Sequence, residues 1–324
     1  MMAKVVSILS AGHSGSTLLD ILIGSLPGVF STGECVYFPW QLYRNGNVCE
    51  LGQDICSCGK RFSECLVWQE VVKHINNKVG YNLFDDPFKF KMATFKSPRH
   101  GQDLDFKGRL FRAILFRILQ YYPATSFIKI FAQIVDRQLY HNWLFFDVIS
   151  EVTKVTHVVD SSKDIIRALL LYFKRPGDLS IVLLIRDVEE SAASAAKRDG
   201  DPIRAAKDWY KLYYRYWRIL KKVRRRDKKL LRKTVQYEIL ANEPETIRHE
   251  IASFLGLPPP SSPLAIDTKK YHLIAGNPMR YKGKITIHYD NSWKTVLVPE
   301  VKRKVKEIKH KAEYIFDKLE SLSC

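Results

Sequence analysis

Short apolar runs alternate with amphipathic segments along most of the chain. The apolar runs that are typical of buried strands lie at 4–10, 156–160, 179–185 and 234–237. The run at 179–185 is the strongest of them, and its composition is that of a strand buried on both faces. Helical patterns cover 17–26, 165–173, 188–197, 203–232, 243–256 and 297–321. Strands that alternate with helices predict an α/β fold, with a mostly parallel central sheet and helices on both faces.

Residues 68–150 depart from this alternation. They are helix-like but irregular, with aromatic residues throughout, and we expect a helical insertion that caps the core of a single domain, 1–324. The apolar stretch 110–135 inside it is interrupted by arginine, lysine and proline, which is unlike a membrane-spanning helix. The chain enters its first strand without a secretory signal, so a cytoplasmic location is expected.

The longest predicted helix carries two different faces. Trp209, Tyr213, Trp217, Leu220 and Val223 fall on one stripe, which is typical of a packed core rather than a cofactor surface. The C-terminal end of this predicted helix, Lys221–Lys229, is densely basic. No aromatic platform or nucleic-acid motif accompanies this run, so no specific nucleic-acid partner is expected. Peripheral contact with an anionic membrane and a simply solvated face both remain open, and the pattern does not indicate an oligomeric state.

The chain as a whole is strongly basic, with a formal net charge of +18. Such an excess favours an anionic cofactor, an acidic substrate, nucleic acid or an anionic surface. A basic solvated surface is the alternative. The charge alone does not choose among these.

Four of the six cysteines are close together in sequence. Cys49, Cys56, Cys58 and Cys65 have the spacing C-x6-C-x-C-x6-C, which is not a standard zinc pattern. A reducing cytosol disfavours disulfides. We expect structural thiols, with zinc as the open alternative, and no metal in the chemistry.

The loop between the first strand and the first helix is the strongest chemical signal. It is small, contains glycine and is rich in hydroxyls, so its N–H groups and the helix N-terminus can bind an anion. A Walker A loop would have lysine where this chain has Ser16, and phosphoryl transfer depends on that lysine. The loop therefore predicts a P-loop-like phosphate site that does not serve an ordinary nucleotide triphosphatase. The predicted binding residues are Gly12, His13, Ser14, Gly15, Ser16 and Thr17.

A second phosphate site is predicted after the run 179–185. Ligands of such sheets bind at the carboxyl ends of the strands, which is where Arg186 lies. Asp187 and Glu190 fit a capping box that opens the next helix, and Ser194 lies two turns into it. Arg186 and Ser194 offer a cation and a hydroxyl. The alternative is a strand-end salt bridge with a small packing serine.

A lysine-free phosphate loop followed by an R-x7-S element resembles the sulfotransferases that use 3′-phosphoadenosine 5′-phosphosulfate. The segment 237–240 is similar to the Y-E-D-L strand of that family, and 254–257 to its F-L-G-L helix stop. Residues 26–34, the cysteine region through Trp68, and 276–280 look most like the bacterial-type branch. The resemblance extends over most of the chain.

The resemblance implies a donor site. The first loop would hold the 5′-phosphosulfate, Arg186 and Ser194 the 3′-phosphate, and Tyr237 would lie near the adenine. The late segment with Arg280, Lys282 and Gly283 is similar to the family's R-K-G element over the 3′-phosphate, at a longer spacing. His13 stands where relatives have a cationic residue, and a neutral imidazole carries no charge there. Leu18 replaces a loop tryptophan that stacks on adenine.

The resemblance also implies two catalytic residues. Sulfuryl transfer to a hydroxyl or amine needs a base, and Glu34 matches the glutamate that other branches place after the first helix. Lys163 matches a lysine beside the bridging oxygen, where it would stabilise charge on the leaving phosphate. The alternatives are a solvated surface residue or helix cap for Glu34 and a surface lysine at a helix start for Lys163. A small molecule, carbohydrate or lipid is the expected acceptor, entering beneath the insertion 68–150.

Two other functions remain open from the sequence. One is a kinase-like nucleotide enzyme with a degenerate phosphate loop. The other is a non-catalytic binder of polyanions or membrane surfaces on a transferase fold.

Overall fold

A five-stranded parallel sheet forms the centre of the molecule, in the order β2-β3-β1-β4-β5. The computed structural model describes residues 2–44, 55–92, 106–119, 127–197 and 200–321, and for 106–109 and 127–135 only the backbone. The strands are β1 (Lys4–Leu9), β2 (Val29–Ser31), β3 (His157–Asp160), β4 (Leu179–Ile185) and β5 (Arg232–Gln236). Two further short strands, β6 (Ile266–Asp267) and β7 (Lys284–Ile285), pair antiparallel outside this sheet.

Helices cover both faces of the sheet, as the alternation predicts. They are α1 (Ser16–Gly24), α2 (Phe38–Arg44), α3 (Leu66–Val79), α4 (Phe106–Leu119), α5 (Phe127–Thr153), α6 (Ile165–Lys174), α7 (Val188–Ala196), α8 (Pro202–Arg226), α9 (Tyr237–Asn242), α10 (Pro244–Phe254) and α11 (Pro299–Glu320). Neighbouring residues of β1 point to opposite faces: Val5 lies in one apolar cluster with α5, α6 and α8, and Val6 in another with α1 and α10. The predicted α/β fold is confirmed.

The end of α8 differs from the prediction. The helical pattern predicts a helix to 232, whereas α8 ends at Arg226 and β5 begins at Arg232. Asp227 leaves the helical conformation, and β5 then pairs with β4 from Ile181↔Arg232 onward. Pairing with the neighbouring strand therefore overrides the helical tendency of the basic segment. For Lys221–Lys229, contact with an anionic membrane and a solvated face both stay open.

The aromatic stripe of α8 is core, as predicted. Trp209, Tyr213, Leu220 and Val223 are buried, while Trp217 is half-buried. The Tyr213 hydroxyl donates to the Leu184 carbonyl at 2.6 Å and accepts from the Ala11 N–H at 3.1 Å. Through Tyr213, the stripe therefore joins the loop after β1 to the end of β4.

The segment 68–150 contains α4 and most of α3 and α5, and helical structure there is as expected. Among the residues that the structure describes, no helix is long and apolar enough to cross a membrane. The cytoplasmic location stays a prediction.

Hydrogen bonds join the chain beyond β2 to the chain beyond β3. The Thr32 N–H donates to the Val159 carbonyl at 3.1 Å, and the Ser161 N–H donates to the Gly33 carbonyl at 3.0 Å. The Val36 N–H then donates to Ser162 Oγ at 3.1 Å. These bonds continue the parallel pairing past the ends of both strands, so the residues that follow, 34 and 163, are brought side by side.

A buried ion pair lies directly beneath this junction. Arg167 of α6 donates to the Asp160 carboxylate, and both side chains are almost fully buried. Arg167 Nε also donates to Asn142 Oδ1 at 2.7 Å and to the Met92 carbonyl at 3.2 Å, and its Nη2 contacts Cys35 Sγ at 3.2 Å. A buried charge is tolerated only when it is paired and hydrogen-bonded. This pair therefore fixes the end of β3, α5, α6 and the turn at Cys35 in one arrangement.

Arg167→Met should strongly destabilise the protein. Methionine preserves most of the volume but leaves the Asp160 carboxylate buried without its cation, which costs about 3–5 kcal/mol. Denaturant unfolding at neutral pH measures this cost. Lys304→Met is the matched control, because Lys304 pairs with Glu300 on the exposed face of α11 and such pairs contribute less than about 1 kcal/mol. Equal stability of Arg167→Met and the wild type would contradict the role of the buried pair.

Candidate active site

A cavity of about 490 Å³ lies at the carboxyl ends of the parallel strands. Its walls come from the loop after β1, the junction beyond β2 and β3, Arg186 after β4, Ser194 near the end of α7, the start of α9, and residues 275–288. This edge of the sheet is where the sequence places the chemistry. The predicted site residues that line the cavity are Gly12, His13, Gly15, Ser16, Thr17, Glu34, Lys163, Arg186, Ser194, Tyr237 and Lys282.

The loop turns sharply from β1 into α1. Gly15 precedes the helix with φ of 88°, and His13 also has a left-handed φ of 60°. A Cβ on residue 15 would lie 2.5 Å from Tyr237 Cδ2, so glycine is required for this close approach. The first N–H groups of a helix have no partners within it. The residues at the start of α1, Ser16, Thr17 and Leu18, line the cavity, where such groups can bind an anion.

Arg186 occupies the opposite side of the loop. Its Nε donates to Glu190 Oε2 at 3.0 Å and its Nη1 to the His13 carbonyl at 3.1 Å. The guanidinium carbon lies 4.1 Å from the centre of the Tyr237 ring, in cation–π geometry. Three contacts therefore hold this cation in place beside the loop, and Ser194 lines the same cavity.

The predicted capping box forms only in part. Asp187 caps α7 by accepting the Glu189 N–H at 2.7 Å, but the Asp187 N–H donates to Glu238 Oε1 at 2.9 Å. Glu190 instead accepts from Arg186 and from the Tyr289 hydroxyl. Burial, together with donation to Glu190, raises the pKa of Tyr289 to about 12. Glu190 is thus a positioning residue for Arg186.

Glu34 and Lys163 form an ion pair inside the cavity. Lys163 Nζ lies 2.7 Å from Glu34 Oε1 and 3.3 Å from Ser16 Oγ, so it bridges the carboxylate and the start of α1. The side chains of Lys163 and Glu34 are 21% and 18% exposed, which leaves both accessible from the cavity. Lys163 has a left-handed φ of 59°. Such strained non-glycine conformations concentrate at functional sites.

Asp20 lies behind the cavity lining in α1 and was not among the site residues predicted from the sequence. It is fully buried in α1, where Ser161 Oγ donates to its Oδ2 at 2.6 Å and Ser31 donates to its Oδ1. Burial raises the pKa of Asp20 to about 7. Asp20 therefore links α1 to the ends of β2 and β3. A single acid within the apolar run Leu18–Ile23 is the signal that could have identified it.

Three predicted binding residues do not face the cavity. The Arg280 side chain is fully buried and donates to the Leu273 carbonyl at 2.8 Å, the Ile274 carbonyl at 3.1 Å and the Tyr281 hydroxyl. Burial also lowers its pKa. Gly283 donates its N–H to Thr268 Oγ1 at 2.9 Å beside the small β6–β7 sheet. The Ser14 side chain is buried within the loop. Lys282 is therefore the member of the R-K-G element that reaches the cavity.

Several lining residues were not predicted. Tyr37 lies three residues after Glu34, and burial raises its pKa. Residues 285–288, including Thr286 and His288, form part of the opposite wall. Sequence pattern gives no sign that residues 285–288 belong to this wall, because tertiary contacts bring them here.

A second and larger cavity, about 1000 Å³, adjoins the first, and Lys163 lines both. It lies between α4, the start of α6 and α8. The cationic residues that line it besides Lys163 are Arg112, Arg117, Lys211, Arg215, Arg218 and Lys222, and the aromatic ones are Phe116, Tyr210, Tyr214 and Tyr216. Asp164 is the one acidic residue among its described lining residues.

The insertion is anchored at this second cavity. Arg112 of α4 donates two hydrogen bonds of 3.0 Å to the Asp164 carboxylate, which also caps α6. Asp164 directly follows Lys163. A bidentate contact of this kind fixes orientation as well as distance, so α4 forms one wall of the cavity next to the Glu34–Lys163 pair.

Comparison with known proteins finds no matching family model and no matching curated protein. Three solved structures are similar in fold. The sulfotransferase domain from the curacin biosynthetic pathway has 14% identity and a TM-score of 0.48, covering 97% of this chain and 98% of that one. The sulfotransferase domain from the Synechococcus PCC 7002 olefin synthase has 14% identity and a TM-score of 0.44, covering 97% and 96%. Sulfotransferase STF9 from Mycobacterium avium has 10% identity and a TM-score of 0.41, covering 81% and 66%. These values describe a likeness of fold and assign no activity.

Proposed function

We propose that this protein is a sulfotransferase that uses 3′-phosphoadenosine 5′-phosphosulfate and acts on an anionic acceptor. The observation that carries this proposal is the arrangement around Lys163. One side of Lys163 faces a lysine-free phosphate loop and the other a basic cavity, and its ammonium is paired with the carboxylate of Glu34. This arrangement offers an anion site, a proton acceptor and an acceptor cavity next to one another.

The donor would be bound through its two anionic groups, the 5′-phosphosulfate and the 3′-phosphate. The N–H groups of residues 12–17 and the start of α1 bind the 5′-phosphosulfate. Arg186 and Ser194 bind the 3′-phosphate, and Tyr237, already in contact with Arg186, lies beside the adenine. A Walker-type lysine is absent, so the loop lacks the point charge that serves terminal phosphoryl transfer.

Glu34 would act as the base in the transfer. As the acceptor oxygen or nitrogen forms its bond to sulfur, Glu34 accepts the acceptor's proton. The bond between sulfur and the bridging oxygen breaks, and its electron pair remains on the 5′-phosphate. Lys163 and the loop N–H groups stabilise that charge. The products are the sulfated acceptor and adenosine 3′,5′-bisphosphate, and fixed cations and amides of the chain carry the charge throughout.

The larger cavity supports an anionic acceptor. Its described lining contains seven lysine and arginine residues, including Lys163, and one aspartate that is already paired with Arg112. A cavity lined by one sign of charge concentrates ligands of the opposite sign. Its tyrosines and Phe116 offer apolar surface for the rest of the molecule. The acceptor class is therefore a hydroxyl or amine compound that also carries a negative group.

Donor binding tests the reaction class. In calorimetry, adenosine 3′,5′-bisphosphate should bind more tightly than ATP with magnesium. Arg186→Gln should weaken the bisphosphate about 10-fold to 100-fold, the equivalent of one charged hydrogen bond, and leave adenosine 5′-phosphate unchanged. Arg204→Gln on the exposed part of α8 is the control and should change neither. Tighter binding of ATP with magnesium would overturn the proposal in favour of a kinase-like enzyme.

Acceptor preference tests the charge of the larger cavity. With labelled donor, glucose 6-phosphate should give a higher kcat/KM than glucose, as should other acceptor pairs that differ by one anionic group. The double variant Arg215→Gln and Arg218→Gln should raise KM for the anionic member about tenfold, because each lost charge weakens a screened surface interaction. Donor affinity should not change, and Arg204→Gln again serves as control. An equal or greater rate with the neutral members would refute an anionic acceptor.

A further inference from the structure

Three cysteines and a histidine converge about the hairpin before α3. Cys65 Sγ lies 3.8 Å from Cys56 Sγ and 3.8 Å from Cys58 Sγ. His272 Nδ1 lies 3.2 Å from Cys65 Sγ and 3.5 Å from Cys56 Sγ. All four ligand atoms lie within 4.8 Å of one another. His272 is 207 residues from Cys65 in sequence, so folding alone creates this group.

These distances do not fit disulfides. A disulfide requires a sulfur–sulfur distance near 2.05 Å, and the cysteines in the described part of the chain are all free thiols. The distances fit the edges of a tetrahedron about a metal. With zinc–sulfur bonds of about 2.3 Å and zinc–nitrogen bonds of about 2.0–2.1 Å, tetrahedral angles place sulfurs about 3.8 Å apart and sulfur about 3.5 Å from nitrogen.

The local structure holds the four ligands in place. Residues 55–61 form a tight hairpin in which the Gly59 N–H donates to the Cys56 carbonyl at 2.9 Å and the Cys56 N–H to the Lys60 carbonyl at 3.0 Å. Cys65 lies at the N-terminus of α3. Ser57 Oγ donates to the Tyr271 carbonyl at 2.6 Å and accepts from the Leu273 N–H at 2.9 Å. Bonds on both sides of His272 therefore fix it against the hairpin.

We propose that Cys56, Cys58, Cys65 and His272 bind one structural zinc ion. Three thiolates and one imidazole in tetrahedral positions are a donor set that zinc prefers. Four protein ligands leave no open position for a substrate, which is typical of structural rather than catalytic zinc. The sequence pattern includes Cys49 and does not include His272. Cys49 lies outside the described residues, and the ligand set is complete without it.

The proposed zinc site would stabilise one wall of the active-site cavity. His272 lies three residues before Ala275, where the segment 275–288 that lines the cavity begins. Arg280 in that segment donates back to the carbonyls of Leu273 and Ile274, and the Tyr281 hydroxyl donates to the Ile55 carbonyl at 3.1 Å. Zinc would thus fasten the hairpin to the segment that forms the wall. This inference stands on the ligand geometry and does not depend on the proposed sulfotransferase activity.

Metal analysis of the purified full-length protein, without an affinity tag that binds metal, tests the site. Wild-type protein should contain one zinc ion per chain, and Co²⁺ exchanged into it should show thiolate-to-cobalt charge transfer. Cys58→Ser and His272→Ala should lose most of the zinc, and His272→Cys should retain it by supplying a fourth thiolate. Cys49→Ser is the matched control and should retain full zinc. Loss of zinc should also lower the melting temperature, since structural zinc contributes to folding.

Two results would overturn the proposal. One is wild-type protein that contains no zinc and gives no charge-transfer band with added Co²⁺ under reducing conditions. The other is zinc content that falls in Cys49→Ser but not in His272→Ala, which would assign a different ligand set. The first result uses the wild type alone, so the proposal stays testable even where a ligand variant fails to fold.

Discussion

The ion pair between Asp160 and Arg167 fixes the geometry from which the rest of the site follows. Asp160 ends β3, Arg167 belongs to α6, and Cys35 touches both groups from the segment after β2. A buried carboxylate without its cation would be strongly unfavourable, so these segments hold one arrangement. That arrangement places Glu34 and Lys163, one residue before Cys35 and three after Asp160, at 2.7 Å from each other.

Positive charge is organised on two sides of that pair. On one side, the start of α1 and Arg186 line the cavity that is proposed to bind the donor. On the other, arginines and lysines of α4 and α8 surround a larger cavity. Part of the excess positive charge of the chain is therefore concentrated around Lys163. Lys163 lines both cavities, and Glu34, its partner in the ion pair, lines the smaller one.

The pattern of apolar and polar residues predicts the central strands and the loop before α1. The strand 179–185 has the predicted bounds, and β1 differs by one residue, because an apolar run limited by polar residues determines both. The loop before α1 was predictable because it has glycine, Gly15, at the left-handed position that directly precedes the helix. The carboxyl edge of a parallel sheet then accounts for why Glu34, Lys163 and Arg186 line one cavity.

Side-chain direction and long-range contacts account for what the sequence did not predict. The position of a residue in a motif does not show that Arg280 is buried and donates to backbone carbonyl groups. Nor does it show that Glu190 accepts from Arg186 instead of completing the capping box. The fourth member of the cysteine cluster, His272, is distant in sequence and is brought there by the fold. The early end of α8 likewise depends on pairing between β4 and β5.

Single-turnover transfer of labelled sulfate by Glu34→Gln tests the central role of the Glu34–Lys163 pair most directly. The substitution is nearly isosteric and removes the proton acceptor. The rate of transfer should fall by about 10²–10⁴, while the Kd for adenosine 3′,5′-bisphosphate stays at the wild-type value. Glu300→Gln on the exposed surface of α11 should transfer at the wild-type rate. Full transfer activity in Glu34→Gln at unchanged donor affinity would contradict the assignment of Glu34 as the base.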